Sequence, residues 1–325
     1  MKRIFALILA LGTALSLCAC GQTPSDSNSD KLQVMASTFP YYDFARAIGG
    51  EYVETSLLVA AGREVHSFEP TPLDVVRLAE SDVFLYNGGE SELWVEEILE
   101  SSGENIAVTA AMMDYAPLLE EEIVEGMETS VHHHHHEEDC EDGHEHHDEA
   151  AYDEHIWTSP VVAQDLCRAI CEALSTADPD HRADYETNLA SYLEELQALD
   201  EAFRETVAAG KRSTMVFGDR FPLQYFCAEY SLTYSAAFHG CAGDTEPSLG
   251  TMKYLIDKVR DQQLPVVYTI ELSSQKIANA IAETTDAKVL TFHSCQTVSR
   301  QEFDSGETYL SLMWRNVESL KEGLA

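Results

Sequence analysis

The chain has 325 residues, 45% of them hydrophobic: enough for two domains with a core each, and too apolar for a disordered polypeptide. It carries 57 acidic residues against 20 basic ones, a formal net charge of -37. That balance excludes a nucleic-acid binder that works by neutralising phosphates, and it suits a protein that handles cations, although solubility alone also accounts for it.

Lys2 and Arg3 precede an apolar run from Ile4 to Leu17, of signal-peptide length and too short to span a bilayer as a mature helix. The run ends in Leu17-Cys18-Ala19-Cys20-Gly21, which resembles a bacterial lipobox. Cys20 fits the acylated residue at the mature N-terminus, with residues 1–19 leaving as the signal. Gln22 to Asp30 is polar and aperiodic, so residues 20–30 read as a flexible tether from a membrane surface to a folded body. The expected location is extracytoplasmic, lipid-anchored to the outer face of the bacterial cell membrane.

From Leu32 onward short apolar strands alternate with amphipathic helices. Strands are expected at Leu32–Ser37, Val53–Val59, Val83–Tyr86 and Ile106–Thr109, with helices at Tyr41–Ile48, Leu73–Ala79 and Glu92–Leu99. The stretch at about residues 120–154 breaks the pattern. It has no lysine or arginine, and it interleaves His132, His133, His134, His135, His136, His144, His146 and His147 with carboxylates. With no periodicity and no apolar face, it reads as a surface loop within an N-terminal α/β lobe spanning 31–159. Val161 to Leu174 is helical, and Asp178-Pro179 supplies an N-cap and a first-turn proline for a helix that runs to Gly210. About thirty residues at 1.5 Å each give roughly 45 Å, which suits a helix running beside two domains rather than inside one. A second α/β lobe over 211–325 follows the helical segment 160–210. Its strands are expected at Ser213–Phe217, Thr233–Phe238, Val266–Ile270 and Val289–Phe292, its helices at Tyr225–Tyr230, Met252–Arg260, Gln275–Ala282 and Leu310–Leu324. The fold class is α/β: two similar lobes with parallel-type sheets joined by one long helix, and a ligand site in the cleft at the carboxyl ends of the strands.

Outside the loop five histidines remain, and three of them, His66, His155 and His293, sit in loops facing that cleft. The six cysteines beyond the leader, Cys140, Cys167, Cys171, Cys227, Cys241 and Cys295, are too scattered for a disulfide framework. Cys167 and Cys171 share one helix face, which points to burial; a bridge among Cys227, Cys241 and Cys295 stays open. No HExxH, GxSxG or glycine-rich phosphate loop is present, so no enzyme is expected.

His66-Ser67-Phe68-Glu69-Pro70-Thr71-Pro72, the acidic histidine-rich loop and Asp153-Glu154-His155-Ile156-Trp157 together resemble the metal-binding substrate-binding lipoproteins of ABC importers, in their zinc-uptake branch. The resemblance covers essentially the whole mature chain. It implies high-affinity capture of Zn(II), with Mn(II) as the alternative cargo, and delivery to a membrane permease with its ATPase subunit, by a monomer that binds no nucleic acid. A surface metal buffer or adhesin acting through the histidine-rich loop is the competing reading. His66 and His155 match the first two metal ligands of the family. The third falls around Phe217 to Pro222, where Asp219 is the nearest residue able to ligate, and the fourth lands near His293. His239, Glu246 and Glu271 are further candidates. Three imidazoles with one carboxylate suit tetrahedral zinc better than manganese, which prefers oxygen. The eight loop histidines form an accessory, weak multisite sponge. Deleting Val131 to Glu149 should therefore lower the number of metal ions bound and leave one tight site nearly intact, as read by chelator competition.

Overall fold

Apolar residues on both faces of the central strands dictate sheets covered on both sides. In β1 (Leu32–Ala36), Val34 and Ala36 face one side and are buried in one apolar cluster, while Met35 faces the other side and is buried in a second. The computed structural model describes residues 31–127, 151–242 and 246–325. Cys20, Cys140 and the eight histidines from His132 to His147 lie outside the described residues.

In the first lobe β1 is followed by α1 (Phe39–Gly49), β2 (Val53–Leu57), α2 (Pro72–Ala79), β3 (Val83–Tyr86), α3 (Trp94–Ser102) and β4 (Val108–Ala111). All pairings are parallel, in the order β2-β1-β3-β4. Two helices, α4 (Pro160–Ala177) and the 28-residue α5 (Arg182–Ala209), lead on to the second lobe. There the elements are β5 (Thr214–Phe221), α6 (Gln224–Tyr230), β6 (Thr233–His239), α7 (Leu249–Asp261), β7 (Val266–Thr269), α8 (Lys276–Thr285), β8 (Lys288–Thr291), α9 (Arg300–Asp304) and α10 (Tyr309–Leu324). The order β6-β5-β7-β8, again all parallel, repeats the topology of the first lobe. In both, the loop after the second strand leaves from the carboxyl end of the sheet, where doubly wound folds place their ligands.

At about 1.5 Å per residue α5 is roughly 42 Å long. Its Tyr192 packs on Phe44 of the first lobe, with ring centroids 5.9 Å apart, and its Phe203 packs on Phe226 of the second at 4.9 Å. α10 returns to the first lobe, where Tyr309 meets Phe44 at 4.8 Å and its backbone N–H donates to Asp43 Oδ2 at 2.8 Å. One buried apolar cluster consequently runs through both lobes, and smaller ones lie under the outer helices of each.

Two features depart from the sequence reading. Asp178 does not cap a helix that starts at Pro179; its carboxylate accepts from His181 Nδ1 and Tyr185 Oη, each at 2.7 Å, across a 3₁₀ turn, and α5 begins at Arg182. The short α9 was not expected, although a Ser299–Glu302 capping box marks its start. The five cysteines among the described residues are unbridged, including Cys227, Cys241 and Cys295. Among the described residues no helix is long and apolar enough to cross a membrane.

Gly218, on β5 next to the site region, abuts α8: a Cβ there would lie 2.5 Å from the backbone Cα and N of Ala278. Backbone cannot swing aside as a side chain can, so Gly218→Ala should destabilise the fold by about 1–3 kcal/mol through overpacking. Urea unfolding should show a lower midpoint at an unchanged slope.

Candidate metal centre

The loop from β2 to α2 is anchored at two apolar points, Val65 and Phe68, with Phe68 edge-on to Trp94 at 5.5 Å. Burying the two contributes roughly 3–6 kcal/mol. Ordering a loop costs about 1–2 kcal/mol per residue. Two anchors alone therefore do not fix the loop, and polar contacts complete it. A Thr71–Asp74 capping box with Pro72 at the first helical position sets where the loop ends. Glu64 Oε2 accepts from Arg220 Nη2 at 2.8 Å, tying the loop to β5 of the other lobe. Burial raises the Glu64 carboxyl, but Arg220 outweighs it and holds the group below its ordinary value. His66, between the two anchors, is turned toward the second lobe, and Gln296 Nε2 lies 3.1 Å from its Nε2.

His155 belongs to a stretch, residues 153–160, that is buried at every position. Its Nδ1 is 3.0 Å from Asp153 Oδ1. A carboxylate oxygen accepts, so Nδ1 carries the proton and Nε2 presents its lone pair. That Nε2 lies 3.4 Å from Nε2 of His66. Two imidazoles on a tetrahedral ion at about 2.0–2.1 Å have nitrogens roughly 3.3–3.4 Å apart. The pair is therefore already at the bite of such an ion. Burial, followed by the charges of His155 and Arg220, pushes the His66 pKa down to about 3, so the ring is neutral and able to donate at neutral pH.

Cys241 completes the cluster: one donor atom each from His66, His155 and Cys241 lies within 4.8 Å of the others. It sits in the loop after β6, the counterpart of the loop after β2 that carries His66. Gly240 makes the approach feasible. A Cβ there would be 2.8 Å from His155 Cε1, so only a glycine lets this backbone lie against the imidazole. Burial, then Glu154 and Glu121, raise the Cys241 thiol pKa in the metal-free state. Sequence reasoning left a bridge involving Cys241 open and did not count the residue among the metal-ligand candidates; its place just past the end of β6 was the available signal.

The other sequence candidates lie elsewhere. Asp219 Oδ1 accepts from the Arg220 backbone N–H at 2.9 Å, and the residue lines a cavity of about 520 Å³ together with Glu64 of the first lobe, the buried Glu271 and the exposed Glu246 and Lys276. Burial raises the Asp219 pKa. The Glu271 carboxylate is engaged by Ser294, accepting from its N–H at 2.7 Å and its hydroxyl at 2.5 Å. His239 Nδ1 pairs with Glu121 Oε1 at 2.9 Å, a hydrogen bond that raises its pKa. The main chain of His293 is clamped by Asn316, which accepts from its N–H at 2.7 Å and donates to its C=O at 2.8 Å; its side chain is not in the cluster.

The family described as "ZnuA: Zinc-uptake complex component A periplasmic" matches residues 34–323. The chain belongs to this family. The high-affinity zinc uptake system protein ZnuA of Bacillus subtilis is 30% identical over 327 residues, covering 99% of this chain and 98% of that protein. The zinc-binding lipoprotein AdcA of Streptococcus pneumoniae is 31% identical over 324 residues, 99% of this chain; the chain spans only 61% of that relative's length. The crystal structure of the Zn(II)-bound ZnuA-like domain of S. pneumoniae AdcA superposes with a TM-score of 0.72 at 26% identity, over 90% of this chain and 99% of that one. The fold expectation of two parallel-sheet lobes and a long helix therefore holds in both the structure and its relatives.

Asp153 orients His155 without touching the ion position. Asp153→Ala should lower zinc affinity about 10–100-fold, as loss of an orienting carboxylate does elsewhere, whereas Asp153→Asn keeps an acceptor and should retain most of it. Competition against a zinc chelator measures both, with the metal-free melting curve as the check on folding.

Proposed function

We propose that this chain is the extracytoplasmic zinc-capturing component of an ABC importer, binding one Zn(II) at the junction of its lobes with high affinity and delivering it to a membrane permease driven by an ATPase subunit. The observation that carries the reading is the His66–His155 pair, with Nε2 atoms 3.4 Å apart and the tautomer of His155 set by Asp153. The names of the Bacillus and Streptococcus relatives support zinc as the cargo. Imidazole donors favour Zn(II) over Mn(II), which prefers a site richer in oxygen. The net charge of -37 draws cations toward the protein. The lipobox-like stretch that contains Cys20 supports tethering to the outer face of the membrane, beside the permease. The histidine-rich stretch acts as an accessory store. Its flanks enter and leave as a pair: Glu121 N–H donates to Ala151 O at 2.8 Å and Asp153 N–H to Leu119 O at 2.9 Å.

A protein that binds an ion only when folded gains stability with ion concentration, by about 2.7 kcal/mol at a hundred times Kd. In a chain lacking Val131 to Glu149, Zn(II) should raise the melting temperature strongly and Mn(II) weakly. His66→Ala and His155→Ala should each remove most of the zinc shift. A parent that melts at the same temperature with and without zinc would overturn this function.

A further inference from the structure

We infer that Sγ of Cys241 is the third metal donor, making the site a two-imidazole, one-thiolate centre that selects borderline-soft divalent ions over Mn(II). The inference rests on the metal capture proposed at His66 and His155, and it names the group that sets the specificity of that site.

Three observations carry it. His66, His155 and Cys241 are the only such group of three donors among the described residues. On a tetrahedral zinc, with nitrogen at about 2.0–2.1 Å and sulfur at about 2.3 Å, the N···S separation is roughly 3.6 Å. Donor atoms within 4.8 Å need side-chain shifts of the order of an ångström to close on an ion. The neighbouring carboxylates are engaged: Asp153 by His155, Glu64 by Arg220, Glu271 by Ser294, and Glu154 by the Ser91 hydroxyl and its N–H at 2.9 Å. Finally, Cys241 is unlike the other described cysteines. Cys167, Cys171, Cys227 and Cys295 are buried in the central apolar cluster, whereas Cys241 is half-buried in a loop, and Gly240 brings that loop against His155.

Where the resemblance to the family expects the third ligand, this chain has Asp219 and Arg220. Arg220 is turned instead to Glu64 across the lobes, and its Nη1 lies 3.4 Å from the carbonyl oxygen of Ala242, beside Cys241. The loop after β6 thus supplies the donor that β5 does not. On binding, the Cys241 S–H bond breaks, its proton passes to solvent, and the sulfur lone pair forms the bond to the ion. With two neutral imidazoles this leaves one positive charge on the Zn(II) complex. Thiolate is a ligand for zinc and its softer neighbours, and a poor one for Mn(II).

Co(II) is the probe, because sulfur bound to it gives an intense charge-transfer band in the near ultraviolet, separate from its visible d–d bands. The background is the full chain with Cys18→Ser, Cys20→Ser and Cys140→Ser, which removes the thiols outside the described residues. The first equivalent of Co(II) should give both kinds of band. Adding Cys241→Ser should abolish the charge-transfer band, leave d–d bands from the two imidazoles, and lower zinc affinity by more than about 100-fold, beyond the loss expected of an orienting residue. Mn(II) affinity should fall far less, so the preference for zinc narrows. An unchanged metal-free melting curve, with Cys241→Ala as the second variant, shows that the fold is kept. Tight one-site binding without a charge-transfer band in the background chain, or a band that survives Cys241→Ser, overturns the thiolate donor and leaves zinc capture by the histidines standing. No tight site for zinc or cobalt in the background chain overturns both.

Discussion

Residues 153–160 are buried at every position between partners from both lobes, and a buried main chain must find a partner for each N–H and C=O. An unpaired group of this kind costs about 1–3 kcal/mol, so a few failures would outweigh a typical folding free energy. The partners come from both sides. Asn87 of the first lobe donates to Glu154 O at 3.0 Å, and Ser91 to the Glu154 carboxylate. From the second lobe Tyr225 donates to Asp153 O at 3.0 Å and Tyr309 to Trp157 O at 2.7 Å, while the Trp157 indole donates to Ser294 O at 2.8 Å. His155 sits in the middle of this lattice. Its position follows from the pairing of its neighbours' backbone, and His66 and Cys241 arrive beside it from opposite lobes.

The long helix supplies the second condition. α5 contributes Tyr192 to the first lobe and Phe203 to the second within one apolar cluster, so the two sheets share a core instead of meeting at a wet interface. A shared core transmits strain and resists wide separation. The polar contacts at the mouth, Glu64 with Arg220 and Gln296 with His66, are few and partly exposed by comparison.

Much of the fold was legible because parallel sheets buried on both faces leave short apolar runs, such as Val83–Tyr86 and Val266–Ile270, between amphipathic helices. His66 and His155 were legible from their motifs and their place beyond strand ends. The remainder depended on partners remote in sequence. Glu271 lies just past the end of β7 and reads as a ligand until Ser294, 23 residues on, is seen to engage it. Asp219 reads as a donor because nothing local shows Arg220 turned toward Glu64, 156 residues earlier. Cys241 was set aside because a cysteine after a glycine looks the same in sequence whether it bridges, packs or ligates. The α9 start was readable from Ser299 and Glu302 and was overlooked.

His66, His155 and Cys241 come from three chain segments, each with its own attachment to the scaffold. Donors mounted independently let go independently. An ion held this way need not be shed in one event, with every bond broken at once and a bare cation expelled into water. Incoming groups on a recipient surface can replace the donors in succession, starting with one carried by a loop, so that the ion stays coordinated throughout. The kinetic barrier to such an exchange is that of replacing a single bond.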